Sequence, residues 1–278
     1  MNPPKPFIDI HCHLLPGLDD GPADWNEALR MARMAVADGV AAVVATPHQL
    51  GRYARNRGAT IRAVAVRLQQ MLDERGIRLK VLPGADVRIE PELVDKLRSG
   101  EVLTVADRRR HVLLELPHEI YTPLDRLLAE LNGAGMVGIL THPERNLGIL
   151  SQPAVLPRLA TRGCLMQLTA GSLLGSFGPR IRRFSESLLA DGLVHFIASD
   201  GHGTGSRPPG LGSAFQRVAE LAGPDVAMAL CCRNPLSLLT GEEASFSRGP
   251  PPESSPSSWL RRSWRSVVSP MGGWGKGR

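Results

Sequence analysis

The chain has 278 residues, of which 42% are hydrophobic, and it carries a formal net charge of +6. This length and composition suffice for a full buried core, and we expect one α/β domain over residues 1–244 rather than two smaller domains. A tail, residues 245–278, carries a net charge of +5 and leaves the rest of the chain at only +1. Because the expected domain is nearly neutral, its charge does not indicate a nucleic-acid partner.

Two further features of the composition predict a cytoplasmic protein. There is no run of about 18 or more apolar residues, and the N-terminus lacks an apolar segment followed by a cleavage site. The four cysteines are Cys12, Cys164, Cys231 and Cys232. They form no C-x-x-C pair and no framework typical of secreted proteins, so we expect reduced thiols.

The first predicted strand, an apolar run over residues 7–10, leads into His11 and His13. Side chains alternate between the two faces of an extended chain, so both imidazoles point the same way, about 7 Å apart. Two imidazoles at this spacing can bind one divalent cation. The following loop carries Asp19 and Asp20, which supply carboxylate oxygens. The pattern predicts half of a metal site, although the histidine pair alone fits two ordinary histidines equally well.

The remaining elements alternate regularly along the chain. Six more strands are predicted at residues 41–45, 79–82, 112–116, 136–140, 164–168 and 194–198. Helices are predicted at residues 25–37, 60–74, 91–98, 122–131 and 180–190, with one more between the fifth and sixth strands. This alternation indicates right-handed βα units and a mainly parallel sheet. We expect a distorted seven-stranded (β/α) barrel, with an open doubly wound sheet as the alternative.

Residues able to bind a metal follow six of the seven predicted strands. They are His11, His13, His48, Asp86, Glu115, His142, Asp200 and His202. In a parallel barrel the carboxyl ends of the strands meet at one rim, where catalytic residues lie. An open sheet would instead collect ligands at a single switch point. The distribution therefore favours the barrel and one shared metal site.

These segments resemble a known family. D-I-H-C-H-L-L-P-G-L-D-D-G-P, A-T-P-H, P-G-A-D, L-L-E-L-P, T-H-P-E-R-N and S-D-G-H with a later R-P-P are similar to the metal-dependent protein-tyrosine phosphatases of the PHP superfamily, CpsB/CapC type. The resemblance covers residues 7 to about 240. It implies the TIM-barrel-like PHP fold and a role in bacterial capsule or exopolysaccharide synthesis, in which the phosphatase counteracts an autophosphorylating tyrosine kinase.

The resemblance also implies three divalent ions, usually manganese, although iron or zinc also suits mixed histidine and carboxylate ligands. The implied ligand sets are His11, His13, Asp86 and Asp200 for the first ion, Asp86, Glu115 and His142 for the second, and Asp20, His48 and His202 for the third. Arg145 and Arg207 fall on the positions of the family's phosphate-binding arginines. His118 has no place in these sets.

Asp86 departs from the family pattern, which has glutamate at this bridging position. Its side chain is one methylene shorter. Either the loop after the third strand lies closer to the metals, or one bridge is weaker and the second ion binds less fully.

The implied reaction is hydrolysis of protein phosphotyrosine by a hydroxide that bridges the metal ions. Arg145 and Arg207 would neutralise the phosphoryl oxygens. Cysteine-based tyrosine phosphatases instead need C-x5-R, and the residues six positions after the cysteines are Leu18, Ala170, Ser237 and Leu238. We therefore expect Cys12 to be a small buried residue rather than a nucleophile.

Two other functions remain open at this point. One is a PHP phosphoesterase that acts on a small phosphomonoester such as histidinol phosphate, or on a nucleic-acid phosphodiester. The other is a catalytically weak, metal-stabilised interaction module. The sequence does not indicate an oligomeric state.

The tail is rich in serine, proline and glycine, a composition typical of disordered segments. Within it, residues 259–265 combine two tryptophans with three arginines. This combination fits a weak contact with an anionic membrane surface, although a solvated tail explains it as well.

Overall fold

The computed structural model describes residues 6–241. Nine parallel-paired strands are present in that range: β1 (Phe7–Cys12), β2 (Val40–Ala45), β3 (His48–Gln49), β4 (Lys80–Pro83), β5 (Asp86–Arg88), β6 (His111–Glu115), β7 (Val137–Thr141), β8 (Leu165–Thr169) and β9 (Phe196–Ala198). They form a three-stranded sheet in the order β1-β2-β4 and a six-stranded sheet in the order β3-β5-β6-β7-β8-β9. The predicted disorder and membrane contact of residues 245–278 lie outside the described residues.

Helices follow most of the strands. They are α1 (Trp25–Ala37), α2 (Gly58–Glu74), α3 (Leu93–Ser99), α4 (Asp125–Gly133), α5 (Leu147–Ser151), α6 (Val155–Thr161), α7 (Ala170–Leu174), α8 (Pro179–Ala190), α9 (Gly212–Ala222), α10 (Pro224–Met228) and α11 (Asn234–Thr240). Short 3-10 turns cover Val105–Asp107 and Pro143–Arg145, and a π-helical turn covers Ala229–Arg233. The mainly parallel α/β class is confirmed. No described helix has the length and apolar composition needed to cross a membrane.

The strand count differs from the expected seven because two short strands that the sequence did not predict, β3 and β5, follow the second and third predicted strands. Thr46 and Pro47 separate β2 from β3, and proline has no N–H to donate to a ladder. Gly84 separates β4 from β5, and a Cβ there would meet Val44 Cγ1 at 2.6 Å. Beyond these breaks, β3 pairs with β5, with His48 directly opposite Asp86. The interruptions therefore bring two predicted metal ligands side by side.

Hydrogen bonds join the two sheets where β1 meets the residues after β9. The Asp200 N–H donates to the His11 carbonyl at 2.8 Å, and the His13 N–H donates to the Gly201 carbonyl at 2.8 Å. Cys12 and Gly201 form a parallel bridge. The strands consequently curve as a half-barrel around a common rim at their carboxyl ends.

The core lies on both faces of the strands. The apolar side chains on one face form the larger of two buried clusters and pack against the helices. The other face, including Ile10, Leu113 and Phe196, packs with Leu238 and Leu239 of α11. Helix α11 also packs with Ile8, near the start of β1. It therefore covers the end of the strands opposite the rim.

Acid stability provides a test of this packing at His111, the first residue of β6, whose side chain is 6% exposed. Burial, with a smaller effect of Arg110, lowers the pKa of His111 to about 4. The unfolded chain therefore binds this proton more tightly. Neutral His111 therefore contributes up to about 3 kcal/mol to the free energy of unfolding. This contribution is complete above about pH 6.5 and is lost as the pH falls towards 4.

We expect urea titrations of metal-free protein to show a flatter pH dependence for His111→Gln than for the unmodified chain between pH 7 and 4. His118→Gln is the matched control because His118 is exposed. Identical pH slopes for the His111 variant and the unmodified chain would contradict the assignment.

Candidate metal centre

The rim brings together all nine side chains predicted as metal ligands. Their ligand atoms form four groups within 4.8 Å: His13, Asp20, His48 and His202; His11, Asp86 and His142; His11, His13 and Asp200; and His48, Asp86 and Glu115. These residues come from the ends of six different strand segments, as far apart in the chain as β1 and β9. Convergence of this kind is what parallel strands produce at their carboxyl ends.

Asp86 lies at the centre of the groups and is fully buried. Its Oδ2 lies 3.4 Å from His48 Nδ1, 3.6 Å from His11 Nε2 and 3.9 Å from His142 Nε2. Neither this oxygen nor His48 Nδ1 has a hydrogen-bond partner, which is uncommon for buried polar atoms. Nitrogen and carboxylate donors that converge without bonding one another fit a divalent cation.

The pairing of β5 with β3 places Asp86 directly opposite His48, one of the three histidines that it approaches. The Thr141 hydroxyl lies 3.3 Å from the other oxygen, Oδ1, and 3.1 Å from the Leu114 carbonyl, so it can donate to either.

The groups differ from the implied ligand sets in three respects. Asp86 lies outside the group of His11, His13 and Asp200, His13 joins the third set, and the second set is divided. Asp20 lies 3.5 Å from His48 Nε2 and 3.6 Å from His202 Nε2, so the third set comes together. The implied second set is divided, however. Glu115 lies with His48, 3.5 Å from Nδ1, whereas His142 falls in a group with His11.

Two side chains orient His11 and His13: Gln167, which the sequence did not identify, and Asp19, which the sequence offered only as a source of carboxylate oxygen. Gln167 of β8 lies with Oε1 2.9 Å from His11 Nδ1. Asp19 lies 2.6 Å from His13 Nδ1 and accepts the His48 backbone N–H at 2.9 Å. Burial raises the pKa of Asp19, but the charge of His13 outweighs it and the result is about 2. Both contacts leave Nε2 of the histidine facing the site.

Asp200 links the histidines to the two predicted arginines. Its Oδ1 lies 3.4 Å from His11 Nε2 and 3.6 Å from His13 Nε2. Its Oδ2 binds Arg145 Nη2 at 2.6 Å and Arg207 Nη2 at 2.5 Å. Burial opposes the charged form, yet the positive charge of Arg145 holds the pKa of Asp200 well below its usual range. One carboxylate therefore stands between metal ligands and two cations.

Opposing effects set the protonation of His48 and Glu115. Burial alone would lower the pKa of His48, but Asp86 and Glu115 outweigh it and raise that pKa to about 9. Burial, together with Asp86, raises the pKa of Glu115 to about 7. Protons on His48 and Glu115 offset the negative charge of Asp86. When these groups bind a divalent cation instead, the charge of the cation replaces that of the protons.

His142 and His202 are in the neutral form that binds a metal. Burial, with Arg145, lowers the pKa of His142 to about 4. Burial, with His13, lowers the pKa of His202 to about 3. Neutral imidazole has a free lone pair for a cation at neutral pH.

His142 and Asp200, with φ of +33° and +53°, are two of the seven non-glycine residues with positive φ in the described part of the chain. Residues other than glycine rarely adopt this left-handed region, and those that do cluster at functional sites. The two bends aim these side chains at the rim.

Two other residues lie outside the metal groups. His118 is exposed and lines a cleft beside His48 and Glu115. Cys12 is buried, and its Sγ donates to the Gly201 carbonyl at 3.6 Å. Burial, with the charge of Asp9, raises the pKa of the Cys12 thiol well above its usual range, which disfavours the nucleophilic thiolate.

Gln167 provides a test of the site that does not depend on catalysis. Gln167→Leu removes the acceptor for His11 Nδ1–H, so we expect metal affinity to fall about 10–100-fold. Gln167→Glu keeps an acceptor and should bind nearly as tightly. Chelator competition measures both affinities, with exposed Gln152→Leu as the control. Unchanged affinity in a folded Gln167→Leu variant would show that this contact does not orient His11.

Comparison with known proteins agrees with this site. The family described as "Capsular polysaccharide synthesis, CpsB/CapC" matches residues 7–240. Tyrosine-protein phosphatase YwqE of Bacillus subtilis is 38% identical over 203 residues, which cover 72% of this chain and 79% of that protein. Tyrosine-protein phosphatase CpsB of Streptococcus agalactiae is 26% identical over 244 residues, covering 84% and 98%.

A solved structure extends the likeness to the fold. It comes from work on YwqE of Bacillus subtilis and CpsB of Streptococcus pneumoniae, described as unique metal-dependent tyrosine phosphatases, and superposes with a TM-score of 0.83 at 34% identity. The match covers 88% of this chain and 98% of that one. The half-barrel with its histidine-rich rim is thus the fold of a metal-dependent phosphatase, and the chain belongs to the CpsB/CapC family of capsular polysaccharide synthesis proteins.

Proposed function

We propose that the chain is a metal-dependent phosphatase that hydrolyses phosphotyrosine on a protein of capsule or exopolysaccharide synthesis. The position of Asp200 carries this proposal. Its one carboxylate faces His11 and His13 with Oδ1 and holds Arg145 and Arg207 with Oδ2. A phosphate-binding arginine pair therefore borders the metal ligands directly.

The two arginines have donors left for a phosphoryl group. Arg145 Nε and Arg207 Nε are buried and have no hydrogen-bond partner. Phe177 packs its ring 4.8 Å from the Arg145 guanidinium carbon and holds that side chain in place. Fixed N–H groups beside the metal ligands suit phosphoryl oxygens, whose negative charge they neutralise as the ester bond breaks.

We propose that the site holds three divalent ions, the number that the family resemblance implies, and mixed histidine and carboxylate donors are compatible with manganese, iron and zinc. Such ions activate water and neutralise phosphoryl oxygens in phosphate-ester hydrolysis. The residues of this chain hold the ligands in position and orient the phosphate. Tyrosinate has a parent pKa of about 10 and leaves more readily than an alkoxide, so a separate general acid is not required.

The proposal extends to the setting of the reaction. We assign the activity to residues 1–244 acting in the cytoplasm, with residues 245–278 dispensable for catalysis. The substrate class is a phosphotyrosine protein, and an autophosphorylating tyrosine kinase is the partner that the family suggests. An alternative substrate, a small phosphomonoester such as histidinol phosphate, is an outcome of the following test.

Metal removal and substrate comparison test the activity. We expect a chelator to abolish hydrolysis of a phosphotyrosine peptide and manganese to restore it, because the ligand groups lie at the rim beside the arginines. Parallel assays use histidinol phosphate and a DNA 3′-phosphate. Preference for histidinol phosphate, or metal-loaded protein that turns over none of the three, would contradict the proposal.

Arg145→Ala tests the phosphate-binding role. Loss of one positioned donor should lower kcat/KM for phosphotyrosine about 100–1000-fold. Metal content, measured by elemental analysis, should stay the same because Arg207 still holds Asp200 Oδ2. Exposed Arg158→Ala is the matched control. Turnover like that of the unmodified enzyme in Arg145→Ala would exclude the proposed clamp.

A further inference from the structure

A large cavity lies beside the metal centre, outside the ligand groups. Its volume is about 700 Å³. Its walls come from the C-terminal end of α1, from α7 with the residues just after it, and from the loop that leads to α9. The side walls are largely apolar and include Met34, Leu174, Phe177, Pro208 and Pro209.

The inner end of this cavity reaches the phosphate-binding arginines. Arg207 lines it, and Arg207 Nη2 lies 2.5 Å from Asp200 Oδ2. Phe177 lines it too, with its ring 4.8 Å from the guanidinium carbon of Arg145. Ser199, directly before Asp200, forms part of the floor. Asp200, which Arg207 contacts with Nη2, in turn lies 3.4 Å from His11 Nε2 and 3.6 Å from His13 Nε2.

We infer that this cavity receives the aryl ring of the phosphotyrosine whose phosphoryl group Arg145 and Arg207 hold. The inference rests on the proposed phosphatase function and specifies where the aryl group of the phosphate ester binds. An aromatic ring gains most from leaving water when its new surroundings are apolar, and these walls offer such a surface. Short alkyl phosphates lack a group that reaches the walls.

A second cleft on the opposite side of the centre is a poorer site for the ring. Its volume is about 400 Å³, and it lies beside His48 and Glu115. Leu50 and Tyr53 contribute to its lining, but most of its other side chains are charged or polar, including Arg52, Arg88, His118 and Glu119. A ring placed there would displace water from charged groups without replacing its hydrogen bonds, which is unfavourable. The chemistry of the walls therefore favours the larger cavity.

The loop that forms one wall is fixed before any substrate arrives. Asp38 at the end of α1 accepts the backbone N–H groups of Leu211 at 2.5 Å and Gly212 at 2.8 Å. Glu27 of α1 accepts the Thr204 backbone N–H at 2.9 Å and its hydroxyl at 2.7 Å. A wall that is already ordered costs little conformational entropy on binding, which suits a specificity site.

Two substitutions on different walls test the inference. Leu174 of α7 is 44% exposed and Met34 of α1 is 37% exposed, so Leu174→Asp and Met34→Glu add charge to the cavity without opening the core. We expect KM for both free phosphotyrosine and phenyl phosphate to rise about tenfold in each variant. The inhibition constant of inorganic phosphate, which has no ring, should not change. Leu236→Asp on α11, at 46% exposure and at the opposite end of the fold, is the matched control.

Three results would overturn the inference. The first is unchanged KM for both aryl phosphates in the two folded variants. The second is a rise confined to phosphotyrosine peptides, which would place a neighbouring peptide residue in the cavity. The third is an equal rise in the inhibition constant of phosphate, which would mean that the walls act through the arginines. Failure of the proposed function differs from all three, because the unmodified, metal-loaded enzyme would then not hydrolyse phosphotyrosine.

Discussion

The backbone hydrogen bonds between β1 and the residues after β9 are the constraint on which the site depends. They join His11 to Asp200 and His13 to Gly201, positions almost 190 residues apart in the chain. Without this junction the two sheets would not share a rim, and Asp200 could not lie between the β1 histidines and the arginines. The bonds are buried between strands, where a backbone N–H or carbonyl without a partner is costly. The positions of the ligands are therefore held by the same kind of backbone hydrogen bonds that hold the strands together.

A second constraint follows from the breaks in two strands. An uninterrupted β2 and β4 would continue side by side along the first sheet, whereas β3 and β5 pair with each other and join the second sheet. Thr46-Pro47 and Gly84 make this change of direction. Its result is that His48 and Asp86 face each other across one ladder position. The deepest carboxylate of the site is thus placed by backbone pairing rather than by the length of its side chain.

The sequence predicted much of this arrangement, for physical reasons. A helical apolar periodicity locates helix α1, and continuous apolar runs locate the main strands. Ligand residues are recognisable because they follow strand ends. The breaks that create β3 and β5 were missed because two- and three-residue strands have no periodicity of their own. The sequence analysis also did not predict helices α9 to α11. The division of Glu115 and His142 between different groups depends on distances that no linear spacing contains.

Gln167 and Asp19 illustrate a different limit. A single amide within the apolar strand β8 was a visible signal, because a polar side chain in such a strand needs a buried partner. Nothing in the linear sequence names that partner as His11, which lies 156 positions away. Asp19 was passed over because its neighbour Asp20 matched the family pattern of ligands. Residues that orient ligands are thus harder to find from sequence than the ligands themselves.

The left-handed backbone of His142 and Asp200 has a consequence for the stability of the folded protein. Each such residue costs about 1–3 kcal/mol, a large part of the net stability of a folded domain. Whatever binds only the folded chain returns stability by mass action, and the cations for which these side chains are arranged would do so. Metal binding would then raise the share of chains that are folded, in addition to any part the ions take in the reaction.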